Sequence, residues 1–361
     1  MINSREFLRK IVSAAGISGF EDPVREIVRE QWVELTDEIS VSTLGSLHAL
    51  KKGTQSGAER RKIMISTHMD AIGFMVTKVQ GEFIRFTSVG GWDPRVLPYQ
   101  FIRIHGKEPV DGIIALPLDR HLPDDIKGKA VPLNQLFIDT GRSAEELKKL
   151  VKPGDPISLR NLPVEVDDET IAAHTLDDRA SVAALDHCLQ ILQSRIHKWD
   201  VVAVASVQEE VGLKGAMTSG YQENPDLAIA MDVGFASEPG GSGYYMLELG
   251  KGPAIAWGPV LNMKLTQKII DVADKYNIPY TKEINPGGRT GTDTDGINLT
   301  REGIPTALFS IPLRFMHSPH EIMRYEDIEA SGRLLAEFIC TLDEKVMEEF
   351  TEYIPCGKEA A

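Results

Sequence analysis

Four apolar runs of strand length, each followed by an acid or an imidazole, constrain this chain more than any other feature. Residues 62–67 deliver His68-Met69-Asp70, and residues 227–231 deliver Asp232. Ser206-Val207 end a third run just before Glu209-Glu210 and the turn at Gly212, and residues 306–311 precede a short loop carrying His317-Ser318-Pro319-His320. Runs of this length and composition read as strands. Open α/β sheets bind ligands outside the carboxyl ends of their strands. Four such endings therefore point to an α/β sheet with one crevice.

Within that crevice Glu209 and Glu210 are neighbours of like charge, which repel and raise each other's pKa unless solvent or a cation offsets them. A fifth contributor is Thr175-Leu176-Asp177-Asp178-Arg179, after which Val182, Leu185, Leu189 and Leu192 keep a helical spacing. Asp at a helix start caps free amides and complements the dipole. Two adjacent Asp residues allow both duties: one binds metal while the other caps the helix or orients a neighbour.

A length of 361 residues exceeds one average domain. The first helix begins near Asn3 and Ser4, with Phe7, Leu8, Ile11 and Val12 as its apolar stripe; a second opens with Pro23 and turns Val24, Ile27, Val28 and Leu35 inward. Strands are expected over 39–43 and 47–50. From Gly73 the texture changes to short strands broken by glycine and proline, such as 83–86, 101–104 and 113–115, with one helical stretch over 143–150. Alternation of strand and helix resumes after Val166. The expected organisation is a discontinuous α/β domain over 1–72 and 166–361, interrupted by a β insertion over 73–165, because His68 and Asp177 lie on opposite sides of the insertion. The glycines from Gly240 to Gly243 read as a loop.

Composition excludes several partners. A net charge of −14 leaves no basic face for nucleic acid or an anionic membrane. Arg5, Glu6, Arg9 and Lys10 interrupt the first apolar stretch, and no later run reaches transmembrane length. Cys188, Cys340 and Cys356 are widely spaced and odd in number, which suits a reducing compartment. The first two read as buried small hydrophobes and Cys356 as exposed. A cytoplasmic location is expected.

Two histidines, an Asp pair, a Glu pair and a further Asp, without cysteine, suit zinc, cobalt or manganese; the histidines disfavour calcium. Five protein ligands are too many for one open catalytic zinc. They fit two metals sharing a carboxylate about 3.5–4 Å apart with a hydroxide between them, which serves amide hydrolysis near neutral pH. The remaining Glu is then the general base.

The order and spacing of longer pieces carry a resemblance. These are Ala15-Gly16-Ile17-Ser18-Gly19-Phe20-Glu21, His68-Met69-Asp70, Val89-Gly90-Gly91 with Val96-Leu97, Phe137-Ile138-Asp139 with Gly141, and Leu176-Asp177-Asp178-Arg179. They continue through Gln208-Glu209-Glu210-Val211-Gly212-Leu213, Met231-Asp232, Gly291-Thr292-Asp293 and Ile311-Pro312-Leu313-Arg314-Phe315-Met316-His317-Ser318-Pro319. The sequence resembles the dinuclear metallopeptidases that include the tetrahedral and glutamyl aminopeptidases, some relatives of which carry the label endoglucanase. The resemblance implies that His68 and Asp232 bind one metal, zinc or cobalt, that Glu210 and His317 bind the other, and that Asp177 bridges them. It implies Glu209 as general base and Asp70 as the carboxylate fixing the His68 tautomer. It also implies a mixed central sheet flanked by helices, a barrel-like insertion used for dimerisation, and dimers assembling into a tetrahedral dodecamer.

The chain departs from its relatives at Ala71, Ser46 and His174-Thr175, none of them a ligand position. His174 reads as a satisfied strand histidine, His320 as surface or near the ligands, His121 as packing, and Arg289 and Arg314 as candidates for a substrate carboxylate or an ion pair. The activity implied is removal of amino-terminal residues from peptides. The rivals are a deacylase or carboxypeptidase on the same scaffold, and a non-catalytic peptide-binding assembly protein. Polysaccharide cleavage fits poorly, since glycosidases generally work with two carboxylates and need no such array.

Overall fold

The computed structural model describes residues 4–57, 60–241 and 246–351. Cys356 and part of the expected glycine loop lie outside the described residues. The chain begins with α1 (Ser4–Ser13), α2 (Asp22–Trp32), β1 (Glu38–Val41), β2 (Leu47–Lys51) and β3 (Lys62–His68). Next come β4 (Gly73–Gln80), β5 (Phe83–Val89), β6 (Phe101–His105), β7 (Pro109–Ala115), β8 (Phe137–Asp139), α3 (Ala144–Leu150) and β9 (Pro156–Leu159). The remainder runs β10 (Val164–Asp167), β11 (Thr170–Ala173), α4 (Leu176–Leu192), β12 (Asp200–Ser206), α5 (Lys214–Glu223), β13 (Leu227–Phe235) and β14 (Ala254–Trp257). It closes with α6 (Met263–Tyr276), β15 (Thr281–Ile284), α7 (Asp293–Ile297), β16 (Thr306–Leu313), β17 (Glu321–Arg324), α8 (Tyr325–Ile339) and α9 (Val346–Thr351).

Eight strands form one mixed sheet in the order β1-β2-β12-β3-β13-β16-β14-β15. Strands β12, β3, β13 and β16 are parallel, and β2 and β14 flank them antiparallel. Alternate side chains of these strands face opposite layers, as the pleat requires. Ile63, Ile65, Ile229, Met231, Phe309 and Ile311 join the helical layer built from α1, α2, α4, α6 and α8. Phe7, Leu8 and Ile11 of α1 are nearly inaccessible in that layer, each contributing roughly 1.5–3 kcal/mol by burial. Met64, Val202, Val204 and Ala228 face the other way, onto Ala216 of α5 and Ile297 of α7.

This second face changes character along its length. On β3 it reads Met64, Ser66, His68; on β13 it reads Ala228, Ala230, Asp232; on β16 it passes from Leu308 to Ser310. Apolar packing fills the amino-terminal half, and polar groups replace it where the strands end.

The strands between β3 and β10 close into a barrel, β4-β5-β8-β7-β6-β9. Phe74, Ile84, Phe86, Ile102, Ile104, Ile138 and Ile157 fill it, with the Phe74 ring edge-on to Phe86 at 5.3 Å and stacked on Trp92 at 4.9 Å. The expected helix appears as α3, held by a reciprocal cap in which Ser143 Oγ accepts the Glu146 amide and Glu146 Oε2 accepts the Ser143 amide. The architecture is the expected mixed α/β sheet flanked by helices, with a barrel between its parts.

Two features differ from expectation. Strand β13 continues to Phe235, so Asp232 lies inside a strand and not after it; hydrogen bonding to β16 persists through Leu313 and carries it there. A small sheet, β10-β11-β17, was not anticipated. Its pairing of Ala173 with Glu321 draws the approach to Asp177 beside the His317 loop. Among the described residues no helix is long and apolar enough to cross a membrane.

Candidate metal centre

His68 ends β3, and Asp70 begins the passage into the barrel; both are buried. The His68 Nδ1–H donates to the Asp70 carbonyl at 3.0 Å, and the Asp70 carboxylate lies 3.6 Å from the same nitrogen. His68 Nε2 is thereby turned toward the sheet edge, 3.2 Å from Asp177 Oδ1 and 3.7 Å from Asp232 Oδ1. On the other side His317 Nε2 lies 3.2 Å from Asp177 Oδ2 and 3.4 Å from Glu210 Oε1. Asp177 thus presents one oxygen to each imidazole. Glu209 Oε2 is 3.9 Å from His68 Nε2.

The backbone at these positions leaves the common regions. Thr175, Gln208, Phe315 and His317 all have φ between 57° and 74°. Left-handed non-glycine residues cost of order 1–3 kcal/mol each and persist where surrounding contacts over-determine them. Two buried carboxylates supply such contacts. Asp70 accepts the backbone amides of Glu209 at 3.0 Å and Glu210 at 3.3 Å, and the Ser18 hydroxyl at 2.6 Å. Glu321 accepts the amides of Asp177 at 3.2 Å and His317 at 3.1 Å. Each carboxylate holds two acidic or imidazole residues by their backbone.

Asp177 and Asp178 do not cap α4 with their side chains; both have non-helical backbone angles at its start. Asp178 Oδ2 instead accepts the His68 amide at 3.3 Å. Both are buried, so this helix start is not an exposed end. Asp293, from α7, accepts the hydroxyls of Ser66 and Ser206, each at 2.7 Å, under the glutamate turn.

Electrostatics follow from crowding. Burial alone would lower the pKa of His68, yet Glu209, Asp177, Asp232 and Asp70 drive it well above the ordinary value. His317 is pushed up to about 11, burial being outweighed by Asp177 and Glu210. Burial raises Glu209 to about 10, with Asp232, Asp293 and Glu210 adding and His68 opposing. Burial likewise raises Glu210 and Asp232. Asp177 moves down despite burial, because two imidazoles face it. Asp70 also moves down, as His68, Ser18 and the Glu209 amide outweigh its burial.

The donor set fits divalent cations. Ligand atoms of His68, Asp178 and Asp232 lie within 4.8 Å of one another, as do those of Asp177, Glu210 and His317. Glu210 Oε1 and Asp178 Oδ1 are buried without a hydrogen-bond donor, a costly state that a cation removes. Imidazole with carboxylate suits zinc, cobalt or manganese. The seven residues singled out from the sequence all meet here. The His317 side chain, 37% exposed, forms the open edge.

The other candidates lie outside the cluster, with Arg289 in a cleft beside it. His174 Nδ1 is 3.2 Å from the Ser318 carbonyl, its ring packs 5.4 Å from Trp92, and burial lowers its pKa to about 4. Arg314 donates to the Ser237 carbonyl at 2.7 Å. Arg289 lines a cleft of about 580 Å³ that opens on Glu209 and Glu210. His121 and His320 are exposed. Glu321, Asp293, Ser66 and Ser206 were missed as site residues; the same-face spacing Ser66 to His68 was the available signal for the first serine.

Comparison with known proteins identifies the family. The profile described as M42 glutamyl aminopeptidase matches residues 45–334. A lysyl aminopeptidase of Pyrococcus furiosus is 34% identical over 337 residues, covering 91% of this chain and 94% of the relative. The solved structure of a TET aminopeptidase from a marine sediment archaeon of the Thaumarchaeota superposes with a TM-score of 0.91 at 33% identity, covering 96% of this chain and 99% of the other. The Pyrococcus horikoshii TET1 peptidase, described as assembling into a tetrahedron or a large octahedral shell, gives 0.81 at 29% identity, covering 94% and 100%. The chain belongs to the M42 glutamyl aminopeptidase family: it is a peptidase, and membership implies divalent metal ions as its cofactors.

Proposed function

We propose that this chain removes amino-terminal residues from peptides with two divalent metal ions, zinc or cobalt. One observation carries the reading: the two Asp177 oxygens each lie 3.2 Å from a different histidine, the placement a shared carboxylate needs. His68 and Asp232 would hold one ion, Glu210 and His317 the other, and Asp177 both. When bound, the ions polarise the scissile carbonyl and acidify water. Glu209, beside the cluster but bonded to neither histidine, accepts the proton of the attacking water and returns it to the leaving amine nitrogen. Its burial supports that duty: burial favours the protonated form of Glu209, while cations offsetting the neighbouring carboxylates favour ionisation, so the group is balanced between taking up a proton and giving it back. Asp70 fixes His68 and the glutamate turn.

The reading extends to organisation. Residues 1–72 and 166–361 act as the catalytic domain and 73–165 as a dimerisation domain, supported by the closed barrel between them. A homo-oligomer is supported by the tetrahedral assembly of the Pyrococcus horikoshii relative, and a dodecamer by the solved dodecamer of PhTET1-12s. A cytoplasmic location is supported by Cys188 and Cys340, both free thiols. Aminoacyl nitroanilides and short peptides test the activity: the metal-loaded protein should release amino-terminal residues, and chelation should abolish release. Preference for amino-terminally acetylated peptides would replace this reading with deacylation. Sedimentation reads the assembly.

A further inference from the structure

The cavity that opens onto the imidazole and carboxylate cluster has a volume of about 280 Å³ and continues past it to Phe235, Glu283, Leu308, Ser310 and Met316. Among the described residues of its wall, Glu283 is the one charged side chain outside the cluster, and no Lys or Arg lines the cavity. The sheet explains how the carboxylate arrives there. Ser310 on β16 is registered beside Asp232 on β13. Glu283 on β15 is registered beside Ala256 on β14, whose methyl leaves room for a longer side chain to cross that strand. The Ser310 hydroxyl then donates to Glu283 Oε2 at 2.6 Å. Leu308 and Ala256 lie on the same face, so the route from Asp232 to Glu283 has apolar walls and an anionic end.

We propose that Glu283 selects substrates whose amino-terminal residue carries a long basic side chain, with lysine as the probe of that class. The stem lies along Phe235, Leu308 and Met316, and the ammonium pairs with the Glu283 carboxylate. This rests on the aminopeptidase reading and deepens it. A lysine has the required chemistry, an apolar stem that tolerates burial and a charged head that does not. Burial, and then the charge of Asp232, raise the pKa of Glu283 against the Ser310 hydrogen bond, and a carboxyl in that state gains from an arriving cation. An acidic side chain meets like charge at the same point. Selection for glutamate, which the family description names, is therefore disfavoured in this chain.

Norleucine is lysine without its ammonium, so the pair isolates the contact. With the metal-loaded full chain, kcat/KM for lysyl nitroanilide should exceed that for norleucyl nitroanilide on the order of 10- to 100-fold, the range of a buried charge-assisted contact, and the glutamyl substrate should be poorest. In Glu283→Gln the lysyl to norleucyl ratio should collapse toward parity. Calorimetric binding of free lysine and free norleucine gives the same comparison without turnover, and the wild-type comparison needs no variant. Parity in the wild type, an unchanged ratio in Glu283→Gln, or equal losses on both substrates would overturn the proposal, the last because it marks a contact to the substrate backbone or a structural role. If no aminoacyl substrate turns over, the aminopeptidase reading fails, and tighter binding of lysine than norleucine, lost in Glu283→Gln, still upholds the Glu283 contact.

Discussion

Replacing Glu321 by Gln tests whether the backbone clamp, and not only the ligand set, fixes the cluster. Glu321 is buried and accepts the amides of Asp177 at 3.2 Å and His317 at 3.1 Å. Gln preserves volume but offers one carbonyl and one NH2 group, so one of the two amides then faces a donor. A buried donor left unsatisfied costs about 1–3 kcal/mol. That cost falls on the geometry that brings Asp177 and His317 to a common cation, so metal affinity should drop on the order of 10- to 100-fold, as for other groups that orient ligands from behind. Every ligating and proton-accepting side chain remains. At saturating metal, kcat should therefore recover to near the wild-type value. Competition against a chromophoric chelator gives the affinity, and turnover against metal concentration gives the recovery. An unchanged affinity, or a kcat loss that metal cannot restore, would refute the reasoning.

Glu209→Gln should keep its metal, measured by elemental analysis, while kcat falls about 10²- to 10⁴-fold; undiminished turnover removes Glu209 from the proton-accepting role. His317→Ala should retain about half the bound metal, because Glu210 and Asp177 alone hold a cation poorly; two fully retained ions count against the ligand set. Asp186 sits in α4 with one carboxylate oxygen lacking a donor, and burial raises its pKa from 3.8 to about 7. A raised acid binds its proton more tightly when folded, so its ionisation subtracts stability as pH climbs from 3.8 toward 7. Asp186→Asn should remove that loss, gaining on the order of 4 kcal/mol at pH 8 and little at pH 4; a thermal midpoint no higher than wild type at pH 8 would contradict it.

The strand ends were legible because their residues obey local rules. Apolar runs at 62–67 and 227–231 mark strands whatever lies beside them, and His68 and Asp232 follow from where those runs stop. The texture of the barrel was equally local, since glycine and proline punctuate each short strand. Glu321 was not legible. It follows the polar run His317-Ser318-Pro319-His320, at the start of β17, and its partners, the amides of Asp177 and His317, carry no side-chain signature in a sequence. Asp293 stood inside a quoted motif without a role, because what gives it one is contact with Ser66 and Ser206 on two other strands. Glu283 needed coordinates for the same reason: its importance lies in crossing β14 beside an alanine.

Those unread residues share a physical logic with the ones that were read. Side chains that could take cations, Asp177, Glu210, Asp232, His68 and His317, are left with few protein donors of their own; Glu210 Oε1 has none. The carboxylates behind them are instead saturated, Asp70 by a hydroxyl and two amides and Glu321 by two amides. Burial penalises both groups alike. The chain resolves the penalty differently from group to group: hydrogen bonds outweigh it at Asp70 and two imidazoles outweigh it at Asp177, whereas burial still prevails at Glu210 and Asp232. Because charge left without donors is the source of affinity and charge answered by hydrogen bonds the source of rigidity, the two sets cannot exchange residues. Adding a donor beside Glu210 would weaken the hold on a cation, whereas removing one from Asp70 would loosen the turn that aims Glu209 and Glu210 at different partners.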